Sequence, residues 1–301
     1  EGLFGMKDGN ASVETAQVVE ETKFPLGESE TEIENEEGSI AKEADRLLNE
    51  AADLCDQGKY AEAKAGMIRA RSVLEQLEDK DHPKIIQCLK ALVDVSLKMQ
   101  ENDEVIEYAG EVANLALADE DNGLAYNRIG LAYFNKGEYD KAIEYDEKSL
   151  ALYLGAGGPD DPNVALNYNN IGLAYTQKGE YDKAIGYFEK TLALYFKILG
   201  PEHPEVATTY NQLGLAYFKT GEYDRAVECN EKALAIRLKA FGSEHPYVGM
   251  SYVNLGSLYA KKGMKGKAMD YLLKAKEIHL KKHGPQHPET KNVQRWIDSL
   301  K

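Results

Sequence analysis

The chain has 301 residues, and 51 acidic against 36 basic side chains give it a formal charge of −15. That balance argues against nucleic acid as the main partner, because neutralising phosphates requires a net-basic surface. No stretch approaches the roughly 18–20 uncharged apolar residues of a membrane-spanning helix, and the three scattered cysteines, Cys55, Cys88 and Cys229, form neither a disulfide framework nor a zinc motif.

Residues 1–38 come first and are the most acidic part. Eleven acidic groups against two lysines carry −9 of the −15. The run from Glu28 to Glu37 has too little apolar surface to offset the entropy of ordering it, so 1–38 reads as a tail that is disordered when free. Leu3-Phe4, Val18-Val19 and Phe24-Pro25-Leu26 are short apolar islands within it. Residues 39–301 then read as one all-α body.

A first helix–turn–helix unit, near 40–82, turns at Gly58-Lys59-Tyr60-Ala61-Glu62-Ala63 and closes at Asp81-His82-Pro83. In the second, near 84–118, Gln100-Glu101-Asn102-Asp103 stands 42 residues after Gly58 and lacks the glycine. The His-Pro loop is also lost there, near Asp121-Asn122-Gly123. Four regular units follow, near 123–157, 163–199, 205–241 and 247–283. Gly130, Gly172, Gly214 and Gly256 recur every 42 residues, as do Tyr133, Tyr175, Tyr217 and Tyr259, and Ala142, Ala184, Ala226 and Ala268. The loops after units four, five and six read Gly200-Pro201-Glu202-His203-Pro204, Gly242-Ser243-Glu244-His245-Pro246 and Gly284-Pro285-Gln286-His287-Pro288. An amphipathic helix at 289–300, holding the only tryptophan, Trp296, has the character of the cap that closes a stack of repeats.

Within a unit, Tyr168, Ile171, Gly172 and Tyr175 fall at i, i+3, i+4 and i+7, one face of a helix. Gly179 ends that helix and a second one is predicted over about 181–198. Gly200-Pro201 then stops the chain, and Pro204 stands where a missing N–H costs little.

These motifs resemble the tetratricopeptide repeat (TPR), with Tyr in place of the usual first Trp. The 42-residue period and the Gly-x-x-His-Pro loop look like the kinesin-light-chain and nephrocystin type. The resemblance implies a right-handed superhelical solenoid of about six helix–turn–helix repeats over residues 40–300, whose concave wall, built from the first helix of each pair, binds extended peptides. The tail shows no a/d heptads, so the motor-gripping coiled coil of a kinesin light chain is not matched.

Reading the first helices at i, i+4 and i+8 on the face away from the tyrosines gives Asn127-Leu131-Asn135, Asn169-Leu173-Gln177, Asn211-Leu215-Lys219 and Val253-Ser257-Lys261. The candidate peptide-groove residues are therefore Asn127, Asn135, Asn169, Gln177, Asn211, Lys219, Ser257 and Lys261. Amide side chains both donate to and accept from a peptide backbone, whatever its sequence. By resemblance Asn127, Asn169 and Asn211 match the groove asparagines of kinesin-light-chain-type repeats, whereas Asn170 and Asn254 match a more structural position. The alternative is that the asparagines are repeat residues facing water.

Charge gives the stack a polarity. Residues 100–123 hold eight acidic groups and no basic one, while 261–301 hold eleven basic groups against four acidic ones. An acidic peptide or a free C-terminus is the partner this suggests near Lys219 and Lys261. The acidic tail is a candidate occupant in cis or on another subunit.

No nucleotide-binding or catalytic constellation is present, so neither an enzyme nor a cofactor is expected. His82, His203, His245 and His287 recur beside proline and are expected to brace the loops. His279, His283 and His287 are spaced by four, but the sequence places no carboxylate to complete a metal site and Lys281 and Lys282 add positive charge, so no metal is expected. The functional reading is a non-enzymatic interaction scaffold or adaptor, a subunit of a larger assembly that binds a peptide or protein. The alternative is a regulatory sensor whose groove is autoinhibited by the tail or takes a small signalling peptide. Free thiols and acidity suggest an intracellular, cytoplasmic location. Because the sequence starts at Glu1, an organelle reached after loss of a targeting peptide is the alternative.

Overall fold

A computed structural model describes residues 30–76, 83–115 and 119–301. Among these residues the chain forms thirteen α-helices and no strands: α1 (Glu30–Asp56), α2 (Tyr60–Leu74), α3 (Pro83–Met99), α4 (Asn102–Asn114), α5 (Asp119–Asn135), α6 (Tyr139–Ala156), α7 (Pro162–Lys178), α8 (Tyr181–Ile198), α9 (Pro204–Thr220), α10 (Tyr223–Phe241), α11 (Pro246–Lys261), α12 (Lys265–His283) and α13 (Pro288–Leu300). Each helix packs on its neighbours in the chain and hardly beyond them, which makes the molecule a solenoid rather than a globule. Six pairs, α1–α2 to α11–α12, correspond to the six units, and α13 covers the end of the last one.

The turn inside each pair repeats one geometry. Gly179, at φ 78°, ends α7, its N–H donating to the Thr176 carbonyl, and the Glu180 N–H reaches back to Tyr175 O. A left-handed residue there satisfies carbonyls that the helix end would leave open. The second unit makes the same turn without glycine: Gln100 adopts φ 61°, and Glu101 N–H still reaches Ser96 O at 2.9 Å.

Helix starts are also repetitive. Pro204, Pro246 and Pro288 each open a helix, and the preceding His203, His245 and His287 accept through Nδ1 from the backbone N–H two residues on, at 3.2–3.3 Å. Asp161 does the same before Pro162, at 2.7 Å. The loop histidines are therefore N-caps. His82 lies outside the described residues.

Glycine sets how closely the two helices of a pair approach. A Cβ on Gly172 would stand 2.7 Å from the Phe188 ring, and one on Gly130 would stand 2.8 Å from the Asp146 carboxylate. One step along, Gly214 faces Asn230 and Gly256 faces Leu272. The small residue recurs, while the side chain laid over it changes from unit to unit. Stacked tyrosines fill the other side of the joint: Tyr133 on Tyr145, Tyr175 on Tyr187 and Tyr259 on Tyr271, with centroids 5.5–5.6 Å apart. In the fifth unit Cys229 takes the place of the second ring.

Two boundaries differ from the sequence reading. The backbone of α1 is already helical at Glu30, inside the range assigned to the tail. Helix α5 begins at Asp119, where Asp119, Glu120 and Asp121 make an acidic first turn, favourable at the positive end of the helix dipole. The disorder expected of the rest of the tail falls on residues 1–29, outside the described residues.

Candidate functional site

First helices α5, α7, α9 and α11 line one side of the stack. Between α9 and α11 lies a concavity of about 350 Å³, lined by Asn211, Gln212, Leu215, Met250, Asn254 and Ser257 among others. It is apolar on its flanks, where Leu215 is 48% exposed and Met250 45%. Its polar groups are few. Gln212 Oε1 is buried and has no hydrogen-bond partner, an acceptor in want of a donor. Ser257 Oγ donates to Asn254 O at 2.8 Å.

The Asn211 amide has a structural role as well. Oriented to satisfy its neighbours, its nitrogen donates to Asn230 Oδ1 at 3.1 Å and its oxygen accepts from Arg237 Nη2 at 2.7 Å. Arg237 is buried and also donates to Ser251 Oγ (2.9 Å) and Tyr247 O (3.3 Å). All these partners are neutral. Burial draws the guanidinium below its ordinary pKa, and among the described residues no carboxylate pairs with its charge behind the α9–α11 wall.

The sequence-predicted groove residues do not all come together. Asn211 and Ser257 line the concavity. Lys219 and Lys261 lie exposed, one helical turn beyond Leu215 and Ser257 on the same faces, and among the described residues neither has a carboxylate within ion-pair distance. Asn169 is half-buried and Gln177 exposed on α7. Asn135 is exposed and donates to Asn102 Oδ1 at 3.3 Å.

Asn127 differs from what its spacing suggests. It is 4% exposed, and its Nδ2 donates inward to Asp146 Oδ1 and Asn167 Oδ1, both at 3.3 Å. Its amide braces the α5–α6–α7 joint instead of facing a ligand, because Asp146 occupies the place taken by Phe188 in the next unit and needs donors. Asn170 also donates to Asp146, as its structural position implied. Asn254 departs in the other direction, since it lines the concavity. Met250 and Gln212 were missed; they stand one turn before Asn254 and one residue after Asn211.

No thiol is a candidate. Cys88 and Cys229 are buried, which pushes both up to about 11, and all three cysteines are free. One expectation is overturned at the far end of the stack. A carboxylate does stand with the histidines of α12, that of Glu289 from α13.

Among the described residues no helix is long and apolar enough to cross a membrane. A family model for the tetratricopeptide repeat matches residues 121–197, 168–239 and 205–281. Comparison with curated proteins returns no match. Among solved structures the chain is similar to BtubC (BKLC) from P. vanneervenii, at 24% identity over 85% of this chain and 94% of that one, with TM-score 0.60. It is also similar to MamA (26% identity, 64% and 96% covered, TM-score 0.50) and to PilF of Pseudomonas aeruginosa (18% identity, 85% and 99% covered, TM-score 0.56). With the repeat found three times over in the regular part of the stack, the chain belongs to the tetratricopeptide-repeat family.

Proposed function

We propose that the chain is a non-enzymatic interaction scaffold that holds an extended peptide, acidic or ending in a free carboxylate, along α9 and α11. Tetratricopeptide repeats serve generally as non-catalytic protein-interaction modules, and the α9–α11 concavity supports that use here. The observation that carries the reading is the mixed lining of that concavity, which sets exposed apolar side chains beside the polar Asn254 and Ser257. Leu215 and Met250 offer apolar contact on either side. Lys219, Lys261 and the buried Arg237 make the potential positive, which favours a carboxylate.

A fluorescein-labelled peptide library with varied C-terminal acidity, read by anisotropy, tests this. Leu215→Glu, at an exposed position, should abolish binding with the fold intact, and Lys261→Glu should weaken acidic peptides and steepen no salt dependence. Equal affinity for acidic and basic peptides, or no effect of Leu215→Glu, would overturn it.

The part of the tail before α1 is the in-cis occupant this chemistry favours, since residues 1–29 hold six acidic groups against two lysines and the last 41 residues carry a net +7. A chain lacking residues 1–29 should then bind an acidic peptide more tightly in low salt, and unchanged affinity would remove the autoinhibitory reading while leaving the scaffold intact.

A further inference from the structure

The 42-residue register continues past the last full unit. In unit five Arg237, Phe241 and Tyr247 build a corner with His245, in which Phe241 stacks on His245 (4.6 Å between centroids) and Arg237 lies over the Tyr247 ring at 5.6 Å. One period on, the same three places hold His279, His283 and Glu289, with His287 as the N-cap of α13. An aromatic and cationic corner has become two imidazoles and a carboxylate.

Their atoms converge. His279 Nδ1 stands 3.1 Å and His283 Nε2 3.5 Å from Glu289 Oε2, and the three ligand atoms lie within 4.8 Å of one another. A tetrahedral ion with bonds of about 2.0–2.1 Å sets its ligand atoms about 3.3 Å apart, so the spacing is that of a coordination shell. His279 is 2% exposed and its Nδ1 is buried with no hydrogen-bond partner, aimed at the carboxylate without hydrogen-bond geometry. The close approach of Gly249 lets this ring lie flat: a Cβ there would stand 3.0 Å from His279 Nε2. His283 is held from its other side by the His287 ring, with centroids 4.4 Å apart. The two histidines share a helix face at i and i+4, and Glu289 comes from the next helix, so a bound ion would tie the cap to the stack.

We infer that His279, His283 and Glu289 form a binding site for a divalent transition-metal ion of the Zn²⁺ class, with one coordination position left for an exchangeable ligand. Two imidazoles and one carboxylate suit Zn²⁺ better than Mg²⁺ or Ca²⁺, which take oxygen ligands. The fourth position opens toward a cleft of about 170 Å³ lined by Met250, Asn254 and Asn292 as well as His279 and Glu289. Met250 and Asn254 also line the α9–α11 concavity, so the open position faces the end of the proposed groove. The metal site does not depend on peptide binding there.

The test uses the full chain without an affinity tag, in a Cys55→Ser background that removes the half-buried thiol. Titration of Zn²⁺ alone by calorimetry should give one site, and the unfolding temperature should rise with the logarithm of free Zn²⁺. Glu289→Gln and His283→Ala should each weaken binding by more than the about 10–100-fold that loss of an outer-shell partner costs, while His203→Asn, which keeps its cap, leaves it unchanged. Co²⁺ in place of Zn²⁺ should give the intense visible absorption of a tetrahedral site. Absence of Zn²⁺ binding, wild-type affinity in both ligand variants, or a weak octahedral Co²⁺ spectrum would overturn the assignment. Peptide affinity in metal-free buffer is a separate readout, so the scaffold and the metal site fail independently.

Discussion

Asn127 Nδ2 donates to Asp146 Oδ1 at 3.3 Å, beneath the close approach of α5 and α6 at Gly130. The carboxyl is 2% exposed, and its hydrogen-bond partners are the amides of Asn127 and Asn170, with no cation among them. Burial outweighs both hydrogen bonds and pushes Asp146 from an ordinary 3.8 up to about 8. Between those two values the folded chain holds a proton that the unfolded chain has released. Stability contributed by this group is therefore full at about pH 4 and lost as pH rises toward 8. Asp146→Asn should flatten that loss, and the variant should exceed the wild type at pH 8 by on the order of a few kcal/mol. Asn230 already fills the equivalent place in the fifth unit. Urea unfolding from pH 4 to pH 9 checks it; parallel curves would count against a buried neutral carboxyl.

Gly172 supplies a second prediction. Because Phe188 is fully buried and lies 2.7 Å from where a Cβ would stand, Gly172→Ala must push the ring or the helices apart. Overpacking of this kind costs about 1–3 kcal/mol. A urea midpoint unchanged from wild type would mean that the joint is looser than its packing indicates.

At the α3–α4 turn the left-handed Gln100 is exposed. Glycine adopts φ 61° without the Cβ clash, though it also gains freedom when unfolded. Gln100→Gly should therefore stabilise by about 0.5–1 kcal/mol, measured as a shift of the thermal midpoint.

In the fifth unit Tyr217 has Cys229 where three other units place a stacked tyrosine. Arg225 already covers its ring at 5.4 Å, as Lys141, Lys183 and Lys267 do in the other units. Cys229→Tyr should add an offset ring pair worth about 0.5–1.5 kcal/mol. Comparison of unfolding curves with a Cys229→Ala variant separates stacking from loss of the thiol.

Much of the fold is legible in the chain because every joint reuses one set of contacts. A glycine every 42 residues, a tyrosine three places on and a His-Pro helix start each report the same local geometry, so they survive comparison of one unit with the next. The residues laid over the glycines do not repeat, and Asp146, Phe188, Asn230 and Leu272 have no common chemistry. That is why Asn127 reads as a groove residue by spacing while its amide is turned inward by a carboxyl 19 positions on. Glu289 escaped for a different reason. It lies in the cap, beyond the last unit, although stepping 42 residues from Tyr247 leads to it. Asn254 and Met250 show that the lining of a concavity depends on how two helices cross, which periodicity along one helix does not contain.

Six of the ion pairs that join successive units and loops line up in two seams. Along the turn side run Lys136–Asp103, Lys178–Asp140 and Lys262–Asp224, and along the loop side Lys197–Asp160, Lys239–Glu202 and Lys281–Glu244. Each pair has an exposed carboxylate and contributes little by itself. Thr220 stands where the turn-side seam would have its lysine, so the step from the fourth unit to the fifth is laced on one margin only. A joint laced on one margin is free to hinge open on the other, and dissolved salt screens every remaining pair at once. The step with the fewest such pairs is the one that leads into α9, directly beside the cleft between α9 and α11.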